Sequence, residues 1–316
     1  MAWFWKGKRL PGWISVNLLP MQIDVAHVRA NGAGRPEVLL CDSYEAKDGA
    51  AASLSHLRKS LHLDRGRCTT LLNAPDYQML QLDAPNVPAA EFKTAAIWRV
   101  KDMIDYPLER AAVDVIQIPG GAGAAKATAL LAFAAPDDKV RERVRVFEEA
   151  QIPLEAIDVP ELAQRNIAAL FETQGRALAL VCFDAQGGLL TITAGGELLL
   201  SRNLDVTSTQ LIDADADRRV QLLERVGLEL QRSLDHFDRQ NTAMALSKLH
   251  LAALPEQVGL REYLAANLSV PVEALDLDTV MDLSRVPELR NPLRQAQCIK
   301  VLGGALRGEA KAMRAA

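Results

Sequence analysis

What this chain lacks narrows its chemistry first. No run of about 18 apolar residues occurs, so no segment reads as a membrane-spanning helix. The four cysteines (Cys41, Cys68, Cys182, Cys298) are far apart and form no CxxC pair. That argues against a disulfide framework or a cysteine zinc site and leaves reduced, mostly buried thiols. The five histidines show no metal-ligand spacing, so no metal site is expected. A net charge of −4 gives no reason to expect nucleic acid as a partner. Aromatic residues make up only 5% of the chain, yet three of its four tryptophans stand in "MAWFWKGKRLPGW" at the start. That stretch lacks the apolar core of a signal peptide. Trp3, Phe4 and Trp5 beside Lys6, Lys8 and Arg9 suit either a peripheral membrane contact or a frayed tail.

What is present is a mixed α/β chain long enough for two lobes. "WISVNLLPMQIDVAHVRA" reads as two strands around a turn at Leu19-Pro20, and "PEVLLCDSYEA" adds a third. "AASLSHLRKSLHL" has helical spacing, and "CTTLLNAP" and "QMLQLDAP" read as short strands. From about residue 89 to 159 the pattern predicts helix, hairpin, helix and strand, the first helix running through "AAEFKTAAIWRVKDMIDYPL". "ELAQRNIAALFETQG" reads as a further helix, and from about residue 176 a second lobe opens on the hairpin "VCFDAQGGLLTITAGGELLLSR". The long helix "RRVQLLERVGLELQRSLDHFDRQ" carries Leu222, Val226, Leu230, Leu234 and Phe237 on one stripe.

Four candidate motifs weaken under chemical scrutiny. "DADADRRVQLLE" spaces acids like a calcium loop, but Arg218 stands at the sixth position where the sharp turn needs glycine. Acids at a helix N-terminus account for the run. "GGAGAAKAT" departs from the phosphate-loop pattern and reads as a hairpin tip. Ser233, Asp235 and His236 do not share a helical face as a triad would. In the second-lobe hairpin, an acid (Asp184) and two glycines (Gly187, Gly188) fit a phosphate grip or an ordinary hairpin bend.

Several blocks in the same order resemble the PilM-like family of type IV pilus assembly proteins, in particular the branch serving the mannose-sensitive haemagglutinin (MSHA) pilus. They are "FKTAAIWRVKDMIDYPLERAAVDV", "LLAFAAPDDKVRERVRVFEEAQIPLEAIDVPELAQRN", "LELQRSLDHFDRQ" and "VLGGALR". The resemblance implies a two-lobed actin-like (ribonuclease H-like) ATPase fold with an inserted subdomain and a reduced lid. The division expected is a tail over 1–13, a first lobe over 14–175 holding the insert at about 89–159, and a second lobe over 176–316. The C-terminal helix is expected to pack back toward the first lobe.

The same resemblance names three nucleotide grips. In the first, the family pattern "IGIDIGSSSVKVVEL" aligns with "ISVNLLPMQIDVAHV", placing Asn17 at the acid, Leu19 at a glycine, Pro20 and Met21 in the turn and Asp24 at the lysine. Proline removes an amide donor, and Asp24 would repel phosphate. In the second, Asp184, Gly187 and Gly188 survive as a vestige. In the third, Ala252, Ala253, Leu254 and Pro255 replace the glycines of "LSGGGA". The implied function is therefore a non-enzymatic adaptor, cytoplasmic and peripheral to the inner membrane, without cofactor. Its partners would be the cytoplasmic tail of a PilN-like (MshJ-like) inner-membrane protein and the pilus motor complex. Trp98, Ile104 and Tyr106 are the expected partner-binding residues. The rival expectation is a weak ATPase that uses Mg-ATP through Asp184.

Overall fold

The computed structural model describes residues 9–31, 34–119, 127–242 and 244–308. Trp3, Phe4 and Trp5, the glycine-rich tip with Lys126 and the end of the last predicted helix lie outside the described residues.

Two sheets of the same topology organise the chain. In the first, β1 (Trp13–Leu19), β2 (Gln22–Asn31) and β3 (Gly34–Glu45) form an antiparallel meander. Helix α1 (Ala50–Leu61) leads to β4 (Arg67–Leu71), parallel to β1. After a long insertion, β8 (Leu154–Asp158) adds parallel to β4, giving the order β3-β2-β1-β4-β8. The second sheet repeats this plan. β9 (Ala177–Asp184), β10 (Gly187–Ala194) and β11 (Glu197–Leu204) form the meander. β12 (Leu246–Leu251) and β13 (Val272–Ala274) follow in parallel, in the order β11-β10-β9-β12-β13. Buried strands with apolar residues on both faces show why: each sheet is covered on both sides.

The outer cover of the first sheet is α1 with α3 (Asp137–Glu149), where Phe147 is fully buried among Leu54, Leu63 and Ile152. The second sheet is covered by α6 (Ala216–Gln240) and α7 (Leu260–Asn267). All five residues of the α6 stripe are buried. The side chain of Asp215 accepts from the Arg218 amide at 2.8 Å and caps α6, so the acid run begins a helix. Between β11 and α6 stands only the short α5 (Ser208–Asp213), a much reduced lid.

Between the two sheets lie α4 (Pro160–Ala168) and α8 (Pro292–Ala305). They pack on each other, and α8 also crosses β1 and β2 of the first lobe. The "GG" of "VLGGALR" makes this possible. A Cβ on Gly303 would fall 2.5 Å from the backbone carbon of Ala163, and one on Gly304 would overlap the Ser15 hydroxyl.

The insertion has its own three-stranded sheet, ordered β5-β7-β6 from β5 (Gln78–Asp83), β6 (Ala111–Pro119) and β7 (Ala127–Pro136). Its sheet thus takes in a strand that precedes residue 89, while β8 belongs to the first-lobe sheet. The insert's helix α2 is confined to Phe92–Val100, and the chain turns before Pro107, which disfavours helical backbone at the residue ahead of it.

Two buried histidines give the fold a pH dependence. The ring Nε2 of His27 lies 2.7 Å from the Pro11 carbonyl, and His250 packs against Phe171. Burial, the largest cause, holds both below the ordinary histidine value. A lowered folded-state value means stability present above about pH 6.5 and lost as the pH falls through it. Urea unfolding is expected to show lower stability at pH 5.5 than at pH 8, with a smaller difference in His250→Asn. Equal stabilities at the two pH values would contradict this.

Candidate functional site

Three loops that lie far apart in sequence meet at one cleft between the lobes. They are the β1–β2 turn with Leu19 and Pro20, the β9–β10 turn with Asp184 to Gln186, and the loop after β12 with Ala253 to Pro255. The cavity is about 620 Å³. Its residues match the three stretches that the sequence comparison aligned to nucleotide grips.

Each turn is built from its own residues. Asn17 and Asp24 face each other in the β1–β2 register and are both buried. Asp24 accepts from Gln22 Nε2 at 2.6 Å and from the Ser43 hydroxyl at 2.7 Å. Among the described residues the Asn17 Oδ1 has no hydrogen-bond partner. At the second turn, one oxygen of Asp184 accepts from the Gln186 amide at 2.8 Å and fixes the bend, while the other is ion-paired with Lys300 from α8. Gly187 and Gly188 do not line the cleft. Gly187 adopts φ 148°, open chiefly to glycine, and a Cβ on Gly188 would press to 2.5 Å from the Phe183 ring. Both glycines serve the hairpin's packing.

Helix α8 supplies the cleft's cations. Arg294 donates to the Ser43 hydroxyl at 3.1 Å and lies 3.8 Å from Asp42, and Lys300 holds Asp184. Behind Lys300, Glu161 is buried and accepts from the Tyr77 hydroxyl at 2.5 Å. Burial raises its carboxyl above the usual range, against the opposing pull of Tyr77 and Lys300. The sequence reading missed Lys300 and Arg294. A signal existed: Arg294, Gln297 and Lys300 repeat every three residues along a helix whose remaining residues, Gln295 aside, are apolar or small. Among the described residues no group of three or more His, Cys, Asp or Glu side chains could hold a metal ion.

A second groove, about 400 Å³, opens between the first-lobe sheet and the insert. It borders two sheet-edge strands, β8 through Ile157 and Asp158, and β6 through Asp114, Val115 and Ile116. Phe133 and Leu162 add apolar lining. At one end Trp13 carries the Arg67 guanidinium 4.0 Å from its ring centre and Arg307 at 5.7 Å. Arg307 is also ion-paired with the buried Asp158.

The expected partner-binding residues lie on the insert but outside this groove. Trp98 is 66% exposed on α2, and Ile104 is buried in the insert's own core. Tyr106 lines a separate hollow with Pro107, Arg110 and Arg141. Among the described residues no helix is long and apolar enough to cross a membrane.

No protein-family model matches the chain, and no curated protein matches its sequence. Solved structures do. A chain of a PilM–PilN type IV pilus biogenesis complex is similar at TM-score 0.73 and 20% identity, over 95% of this chain and 99% of that one. A Bacteroides thetaiotaomicron protein described as having an actin-like ATPase fold and unknown function is similar at TM-score 0.50 and 14% identity, over 92% and 98%. With the duplicated sheets, the paired central helices and the cleft between the lobes, these likenesses establish a two-lobed actin-like ATPase fold.

Proposed function

We propose that this protein is a non-enzymatic adaptor of the PilM-like kind in type IV pilus biogenesis, most like MshI of the MSHA pilus. It works on the cytoplasmic side, peripheral to the inner membrane. It binds the cytoplasmic tail of a PilN-like partner (MshJ-like) and links it to the pilus motor complex. The observation that carries this reading is the cleft. A nucleotide needs amides that approach its phosphates and a free acid for the magnesium water shell. Here Pro20 removes a donor, Leu19 and Leu254 take the place of small residues, and Lys300 neutralises Asp184. The residues do not fit Mg-ATP.

The groove beside β8 and β6 suits an extended tail instead. Its edge strands can accept backbone hydrogen bonds, and its apolar lining can take alternate side chains. Calorimetry tests both halves. A synthetic peptide of the partner's tail is expected to bind at about micromolar Kd, roughly −8 kcal/mol, and Mg-ATP more weakly than about millimolar, roughly −4 kcal/mol. Mg-ATP binding tighter than that would favour a weak ATPase that uses Asp184. A silent tail peptide would remove the adaptor reading.

A further inference from the structure

The chain enters its first strand beside the groove that β8 and β6 border. Arg9 is ion-paired with Glu155 of β8, and Arg67 donates to the same carboxylate at 2.9 Å. Arg67 in turn lies over Trp13, and both line the groove. The Leu10 amide donates to the Arg65 carbonyl at 2.9 Å, which fixes the entry. Residues 1–8 therefore join the fold at this end of the groove. We propose that this segment, "MAWFWKGK", docks in the groove as an added edge strand, with Trp3 and Trp5 turned into its apolar lining.

Reach, direction and side-chain pattern agree on this occupant. At about 3.3 Å per residue, the eight residues span about 26 Å, more than the roughly 16 Å of the five-residue β8. β1, β4 and β8 are parallel, with Trp13 opposite Arg67 and Cys68 opposite Leu154. A segment that leads back from Arg9, at Glu155, toward Asp158 runs antiparallel to β8. Short segments pair readily in that sense. In an extended strand alternate residues share a face, so Trp3 and Trp5 point one way and Lys6 and Lys8 the other. The tryptophans meet Ile116, Phe133 and Leu162, and the lysines stay in water. The segment after Gly308 also leaves beside the groove, but "EAKAMRAA" holds one large apolar residue, Met313, and offers no such face.

One consequence rests on the reading of this groove as the seat of the partner's tail. The segment and the tail then compete, and the tail binds only when the segment has left. With the groove open about a fifth of the time, the tail's apparent affinity is about fivefold weaker than its intrinsic affinity. Edge amides covered by the segment exchange with solvent more slowly by the same factor of about five.

Hydrogen–deuterium exchange of the full chain, read by mass spectrometry over β6 and β8, tests the docking. In a variant carrying Trp3→Ala and Trp5→Ala, both strands should exchange about fivefold faster than in the parent. A synthetic peptide MAWFWKGK added to that variant should slow them again. The partner's tail peptide should bind the variant about fivefold more tightly than the parent. Equal exchange in parent and variant would overturn the docking, as would a change confined to α2 or the inter-lobe cleft. Protection that grows with protein concentration would assign the segment to a second copy instead. Faster exchange on deleting 309–316, but not on replacing the tryptophans, would give the groove to the C-terminal segment. Binding to anionic phospholipid vesicles that the variant loses, with exchange of both strands unchanged, would assign the tryptophans to a lipid surface. Each of these three results ends the proposal. A tail peptide silent toward both proteins removes the adaptor reading, whereas the exchange comparison still decides the docking.

Discussion

Gly303→Ala is expected to lower the stability of the fold by about 1–2 kcal/mol net. Two effects oppose each other at this position. Alanine in a helix interior is favoured over glycine by about 1 kcal/mol. The new methyl, however, would overlap the Ala163 carbonyl group, 2.5 Å from its carbon and 3.0 Å from its Cα. Overpacking of that kind costs about 1–3 kcal/mol, and here the obstructing atoms are backbone, so no rotamer change relieves it. The Asn166 Nδ2 bond to the Gly303 carbonyl, 2.8 Å long, would be strained as the helices part. Clash therefore outweighs propensity. Gly304→Ala is the informative neighbour, because its methyl meets the Ser15 side chain. Ser15→Gly should restore much of the loss caused by Gly304→Ala and none of that caused by Gly303→Ala. Urea midpoints at unchanged m-value measure both. A Gly303→Ala protein as stable as the parent would show that α4 and α8 do not approach this closely.

The same helix pair shows what a sequence discloses and what it withholds. The stripe of α6 and the strands of both meanders are local patterns, and they appear in the structure where periodicity places them. The three altered grip stretches were also legible, since proline and leucine in a turn have chemical meaning wherever the turn goes. Their convergence on one cleft follows from the fold. The Asp184–Lys300 pair was not legible, because it joins a hairpin to a helix through tertiary packing alone. Gly187 and Gly188 read equally well as a phosphate turn or a packing device, and only the Phe183 ring beside them separates the two. Helix α2 was overread for a related reason. Ala96, Val100 and Ile104 are all buried as a helical period would place them, yet Ile104 reaches the insert's core from a turn. Apolar spacing records burial, which a turn can satisfy as well as a helix.

Ile116→Glu is expected to weaken binding of the partner's tail peptide by about 100-fold, close to 2.7 kcal/mol. Ile116 lies on β6, opposite Leu131 of β7, and lines the groove between the insert and the first lobe. A carboxylate there is desolvated when an apolar tail covers it, at a cost of several kcal/mol where it is not paired. Ile116 is half-buried against Ile118, Leu131 and Leu198, so the Tm is expected to fall by several degrees, and binding is compared well below the variant's transition. Trp98→Glu supplies the contrast. Exposed tryptophans are frequent binding hot spots, and loss of one costs about 2 kcal/mol or more when it contacts the partner. Trp98 stands on α2, outside the groove, so its replacement should change the affinity by less than about twofold, well below 1 kcal/mol. The two variants divide the insert's surface between them. Loss with Ile116→Glu alone assigns the tail to the strand-edge groove. Loss with Trp98→Glu alone assigns it to the outer face of α2, which ends the groove assignment while leaving an adaptor. The insert borders a groove between two sheet edges and carries the Trp98 ring exposed on α2, and the groove, unlike the lone ring, can bury several alternate side chains of an extended peptide.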